Sequence, residues 1–187
     1  MEIHSSVASC TILHYGSDYL PYALRSVYDQ VDKLHIFYTP TPSHGHRSTL
    51  PPPETRDQLL LAAFAFDPDG KVVWHDAPFT QEGPQRDSAL RVCMDSGADL
   101  VVVLDADEVW PEETLSLCLQ QAASRPGVRN WLVNFTTLWR SFHWVCRDEL
   151  WPVRLINLRA AAVGEYTAYL DRSNGEVYHF GYAVRDE

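Results

Sequence analysis

Leu100-Val101-Val102-Val103-Leu104-Asp105-Ala106-Asp107-Glu108-Val109-Trp110 is the stretch that decides how this chain folds. Apolar, mostly β-branched residues run straight into two carboxylates spaced i, i+2. Such a run is a strand buried on both faces, hence central in a sheet covered by helices. Alternate residues leaving a strand point the same way, so Asp105 and Asp107 can face one point. Two converging carboxylates repel each other unless protons or a cation compensate. A hard divalent ion with oxygen ligands, itself bridging phosphate oxygens, is the natural compensation. The plainer alternative is that both aspartates cap the next helix, whose first turn reads Pro111-Glu112-Glu113. A cap needs one Asp, not two.

Upstream, Val7 to Leu13 reads as a first strand, ending in the turn His14-Tyr15-Gly16-Ser17-Asp18. Ser17 or Asp18 can cap a helix there, with Leu20, Leu24, Val27 and Tyr28 as its apolar face through about Gln30. Leu34 to Tyr38 is the second strand, and the strand-helix-strand order predicts parallel pairing. Thr39 to Pro53 is a loop in which His44 and His46 flank Gly45, a pairing open to metal binding although exposed loop histidines are the commoner reading. Glu54 to Phe66 is a helix, Asp67-Pro68-Asp69-Gly70 a turn, and Lys71 to His75 a third strand delivering Asp76 to its carboxyl end. Gln85 to Ser96 is a helix that Gly97 breaks.

Beyond the central strand, Glu112 to Ser124 is a helix and Trp131 to Thr137 a strand. An aromatic and arginine-rich passage runs from Leu138 to Trp151, followed by strands at Val153 to Leu158 and Glu176 to Phe180. The expected class is α/β, a central mixed but mostly parallel sheet flanked by helices. The 187 residues suit one domain, 1–187.

Composition narrows the function classes. The hydrophobic fraction is 45% and no 18-residue apolar run occurs, so no transmembrane segment is expected. The N-terminus lacks the basic start and apolar core of a signal peptide. Cys10, Cys93, Cys118 and Cys146 are scattered without a C-x-x-C, which suits reduced thiols in a cytoplasmic protein and makes a zinc site improbable. A net charge of −10 argues against indiscriminate polyanion binding. Residues 131–160 run against that balance, with Arg140, Arg147, Arg154 and Arg159 facing only Asp148 and Glu149. An anionic ligand is best tolerated there. Ligands of open α/β sheets sit at the carboxyl ends of strands, and polar groups gather at those ends here: His14 to Asp18, Asp76, Asp105 with Asp107, and His179. No G-x-G-x-x-G or P-loop pattern appears.

Two segments resemble the GT-A-fold nucleotide-sugar glycosyltransferases, most closely the large family 2. One is Tyr15-Gly16-Ser17-Asp18-Tyr19-Leu20 with Ala23, Ser26, Val27 and Gln30. The other is Arg86-Asp87-Ser88-Ala89-Leu90, then Gly97-Ala98-Asp99 and Leu104-Asp105-Ala106-Asp107-Glu108. Together they span residues 7 to 110. The resemblance implies a Rossmann-like GT-A domain with a nucleotide-sugar-binding half (1–110) and an acceptor-binding, catalytic half (111–187). It implies Mn²⁺ or Mg²⁺ on Asp107, with Asp105 approaching the donor's ribose or, through water, the metal. His179, in Val177-Tyr178-His179-Phe180, resembles the C-terminal histidine that completes such metal sites, and an imidazole suits Mn²⁺. A core histidine bonded to a backbone carbonyl fits that residue equally well.

The same resemblance places His14, Tyr15, Gly16 and Asp18 around the nucleobase, with Arg86 reaching the base or its carboxylate partner. Where the family has an Asp ending its second strand, this chain has Tyr38-Thr39-Pro40, so Asp76 becomes the candidate. Arg154 is the candidate cation for the leaving diphosphate. An inverting transfer needs one general base, and Asp148, with Glu149 beside it, is the candidate; an ordinary salt bridge to Arg147 is the alternative. Trp139, Arg140, His143 and Trp144 would make a stacking platform for the acceptor (a saccharide, a protein, or a hydroxymethylated DNA base), although tryptophans more often belong to the core.

Two rivals stay open. Val101 to Val109 formally fits the haloacid-dehalogenase phosphatase signature with Asp105 as nucleophile, although no lysine follows Lys71. The chain also stops soon after His179, which suits a minimal enzyme, a homo-oligomer, or a non-catalytic sugar-nucleotide or glycan-binding module.

Overall fold

The computed structural model describes residues 5–40, 53–76, 78–146, 151–160, 167–169 and 175–183. The expected class is what it shows: a mixed α/β fold with a largely parallel central sheet flanked by helices. Strands β1 (Val7–Leu13), β2 (Lys33–Tyr38), β3 (Val72–Asp76) and β4 (Leu100–Val103) pair in parallel. With β6 (Asn130–Leu132), β9 (Val153–Asn157) and β10 (Thr167–Tyr169) they form one seven-stranded sheet, ordered β10-β6-β9-β4-β1-β2-β3. Only β9 runs against its neighbours, β4 and β6.

The apolar run of β4 is buried on both faces, as its composition demands. Leu100, Val102 and Leu104 belong to one core, with Leu20, Leu24 and Val27 of α1 (Leu20–Val27), Leu59 of α2 (Arg56–Ala63) and Leu115 of α4 (Glu112–Ser124). Val101 and Val103 belong to the other, with Ala89 and Cys93 of α3 (Glu82–Asp95). The α1 stripe falls at i, i+4 and i+7, the spacing of one helical face.

A second sheet, ordered β5-β11-β7-β8, joins β5 (Glu108–Val109), β7 (Phe135–Arg140), β8 (Val145–Cys146) and β11 (Val177–Ala183). The strand expected over Trp131 to Thr137 is therefore two strands in two sheets. The amide of Val133 donates to Pro152 beside β9, whereas Asn134 accepts from Val177 at the start of β11. The chain changes sheets between those two residues. Period-2 alternation fixes which way a side chain points but not which sheet its backbone joins.

Helix caps also differ from expectation. The N-cap of α1 is Tyr19 with no side-chain bond, because the Ser17 hydroxyl donates to Glu54 instead. The N-cap of α4 is Pro111, so neither Asp105 nor Asp107 caps that helix. The plain explanation for the aspartate pair fails.

Candidate functional site

In the order β4-β1-β2-β3 the chain runs outward from β1 on one side and places β4 on the other. The carboxyl ends of β1 and β4 therefore frame a topological switch point, where α/β sheets open a crevice. A cleft of about 730 Å³ lies there. The loop after β1 contributes His14, Tyr15, Gly16 and Asp18, the loop after β4 contributes Asp105 to Asp107, α3 contributes Arg86, and β11 contributes His179. The two loops touch: Gly16 has φ +119°, and a Cβ added there would stand 3.3 Å from that of Ala106. The His14 ring is anchored by Nδ1 donating to the Thr39 carbonyl at 2.9 Å.

β5 and β11 bring the histidine to the aspartate. His179 stands opposite Glu108 in the antiparallel register, and the Phe180 amide donates to the Asp107 carbonyl at 2.8 Å. His179 Nε2 consequently lies 3.6 Å from Asp107 Oδ2. Burial pushes the Asp107 carboxyl above its ordinary value, against the pull of His179. A desolvated carboxylate beside an imidazole nitrogen at the mouth of a cleft is a donor set that Mn²⁺ or Mg²⁺ accepts. Such ions keep waters and substrate phosphate oxygens in their remaining positions.

Asp105 stands apart from that pair. Its Oδ2 accepts from Arg154 Nη2 at 2.6 Å, and Arg86 Nη2 is 3.9 Å from its Oδ1. Among the described residues no three His, Cys, Asp or Glu side chains converge as a metal-ligand cluster. Of the three expected ligands, Asp107 and His179 lie side by side, whereas Asp105 is engaged by Arg154.

Arg154, expected beside the leaving diphosphate, is held by other partners. It is buried, lies over Phe135 at 5.0 Å, and gives its Nε to both oxygens of the wholly buried Glu108 at 3.0 Å. It does not line the cleft. Burial pushes the Glu108 carboxyl up to about 8, with Arg154 pulling it down. Glu108 also accepts from the Asp105 amide at 3.2 Å, so the pair pins the turn that carries both aspartates.

Asp76 does end its strand, but β3 is the sheet edge, with β2 between it and β1. Arg56 grips its two oxygens at 2.7 Å each, and Asp76 does not line the cleft. Asp148, Glu149, His44 and His46 lie outside the described residues.

One cleft residue has no signal in the sequence. Glu54 accepts from the Gly16 amide at 2.6 Å, from the Ser17 amide at 3.0 Å and from the Ser17 hydroxyl. Burial would raise its carboxyl, yet these bonds carry it below the ordinary value. Glu54 thereby fixes the loop after β1 from 38 residues away. Asp105, the nucleophile of the phosphatase reading, has its Oδ2 bonded to Arg154.

No family model matches the chain, and no curated protein matches its sequence. Among solved structures the fold is similar to glucosyl-3-phosphoglycerate synthase from Mycobacterium tuberculosis in complex with Mn²⁺ and UDP-glucose. The identity is 14% and the TM-score 0.46, over 73% of this chain and 44% of that one. The same enzyme with Mn²⁺, UDP and phosphoglyceric acid matches at 13% and 0.46, over 75% and 45%. A further mycobacterial protein matches at 16% and 0.43, over 74% and 42%. The chain spans less than half the length of these structures. At this level of likeness, what those proteins bind is a property of those proteins alone.

Proposed function

We propose that this chain is a divalent-metal-dependent glycosyltransferase. It takes a sugar from a nucleotide donor, UDP-activated, and moves it to a hydroxyl acceptor with inversion, in the cytoplasm. One observation carries the reading: Asp107 and His179, from separate elements, meet 3.6 Å apart in the switch-point cleft. These two side chains would hold Mn²⁺ or Mg²⁺, which when bound supplies positive charge to the donor's diphosphate.

The remaining work belongs to the chain. Glu54 holds the loop after β1 in shape, so that Tyr15, Gly16 and Asp18 form a fixed wall for the nucleobase. Arg86, steadied by Glu82 at 2.6 Å, faces the cleft. Glu108 and Arg154 keep the aspartate turn from shifting. The acceptor oxygen bonds to the anomeric carbon as that carbon's bond to the phosphate oxygen breaks. The nucleoside diphosphate leaves with the electron pair, and the hydroxyl proton passes to a base, for which Asp148, with Glu149 beside it, is our candidate.

Thermal unfolding with UDP and Mn²⁺, separately and together, tests the reading. At a hundredfold excess over Kd the pair should stabilise the chain by about 2.7 kcal/mol, a rise of about 5–10 °C at this length. Asp107→Asn should keep the ligand-free transition and lose the metal-dependent rise. A variant that retains the full Mn²⁺-dependent shift would falsify the assignment of Asp107.

A further inference from the structure

A second cavity, about 690 Å³, adjoins the cleft and shares Asp18, Tyr19 and Asp107 with it. Its walls are aromatic: Tyr19, Tyr22, Phe66, Trp110, Phe142 and Phe180. Tyr19 and Phe180 are stacked with centroids 6.3 Å apart, and Phe142 meets Phe180 edge-on at 5.7 Å. Its floor is rigid. Ser26 Oγ accepts from the Trp110 amide at 3.1 Å, and the Gln30 amide donates to the Glu112 carbonyl at 2.9 Å. The volume suits a small molecule.

Charge selects the occupant. Among the described residues, Asp18, Asp29, Asp107 and Glu112 face this space against one cation, Arg25, whose guanidinium lies 4.9 Å over the Phe66 ring. With Asp107 committed to a divalent ion, the wall still carries more carboxylates than cations. A phosphorylated or carboxylated ligand would enter against like charge. A pyranose offers apolar C–H faces to aromatic rings and hydroxyl edges to carboxylates, and an added ammonium gains from both.

We infer that this cavity is the acceptor subsite, and that it takes an uncharged or amino-bearing saccharide. The inference rests on the transferase reading for its role, with the acceptor hydroxyl reaching the donor past Asp107. It moves the acceptor site onto α1, away from Trp139 and Trp144, neither of which lines this cavity.

The test is saturation-transfer NMR on the full chain with glucose, glucosamine and glucose 6-phosphate, each with and without UDP and Mn²⁺. Glucosamine and glucose should bind, and glucose 6-phosphate at least tenfold more weakly. Tyr22 is 65% exposed and Phe142 54%, so truncating either leaves the core intact. Tyr22→Ala and Phe142→Ala should each weaken glucosamine about three- to tenfold, and leave UDP within twofold. Asp29→Lys should narrow the gap between glucosamine and glucose 6-phosphate. Equal or tighter binding of glucose 6-phosphate overturns the inference, as does glucosamine binding that ignores both truncations. Saccharide binding that follows these variants while UDP with Mn²⁺ fails to bind sinks the donor reading and leaves the saccharide site standing.

Discussion

His35 on β2 offers a test of the fold that is independent of catalysis. It is 4% exposed, with Nδ1 3.0 Å from His75 Nε2 and Nε2 3.3 Å from Ser96 Oγ. The Ser96 hydroxyl donates to the Cys93 carbonyl at 2.7 Å, so it must accept from His35 Nε2–H. His35 Nδ1 is then an acceptor and His75 Nε2 its donor. A proton added to His35 Nδ1 would meet another N–H. Burial, then the neighbouring His75, push the His35 pKa down to about 4. In the unfolded chain the ordinary value is about 6.5. The folded form is therefore the one that refuses the proton, and its stability is full above pH 6.5 and lost as the pH falls toward 4. At pH 5 the loss from this group is about 2 kcal/mol. Glu108 acts in the opposite sense, since its raised pKa makes the folded chain the better proton binder between about 4.5 and 8. The readout must therefore be a difference. Urea unfolding of the wild type and His35→Gln, followed by tryptophan fluorescence from pH 7.5 to 5, should show the wild type's advantage shrinking by about 2 kcal/mol, roughly 1 M in midpoint. An advantage constant to within about 0.5 kcal/mol would refute both the tautomer assignment and the burial argument.

Two further substitutions probe the turn that carries the aspartates. Gly16→Ala places a side chain at φ +119° against Ala106, so it should cost about 1–3 kcal/mol. It should also weaken UDP with Mn²⁺; Gly16→Ala with Ala106→Gly should relieve the contact but not the backbone strain, read by calorimetry of each variant. Arg154→Met leaves the buried Glu108 carboxyl, protonated at pH 7 by its raised pKa, without its hydrogen-bond partner and should cost about 1–3 kcal/mol, while Glu108→Met with Arg154→Met recovers part of it. Denaturation midpoints at pH 7 check the pair, and a double variant no better than the single one would show that Glu108 is not the reason.

The sequence was legible where a local signal suffices. Helix α4 runs Glu112–Ser124 as expected because Pro111 opens it and Pro126-Gly127 follow it. Strand β4 was read from an apolar run that only a doubly covered strand explains. What stayed hidden was long-range. β10 is three residues with no periodicity to detect, and β5 is two. Glu54 and Arg154 show their roles only through partners 38 and 46 residues away. Asp76 is the instructive case: its place at a strand end was correct, but strand order decides which ends face the crevice, and strand order is not written in any local pattern. The same reasoning separates the two aspartates of the central motif. Their i, i+2 spacing puts both at the mouth of the sheet, yet the antiparallel β9 carries Arg154 to Asp105 while β11 carries His179 to Asp107. Identical side chains two residues apart thus acquire different chemistry from the strands that pass them. One is held by a guanidinium fixed in the chain, and the other faces an imidazole at the mouth of the cleft.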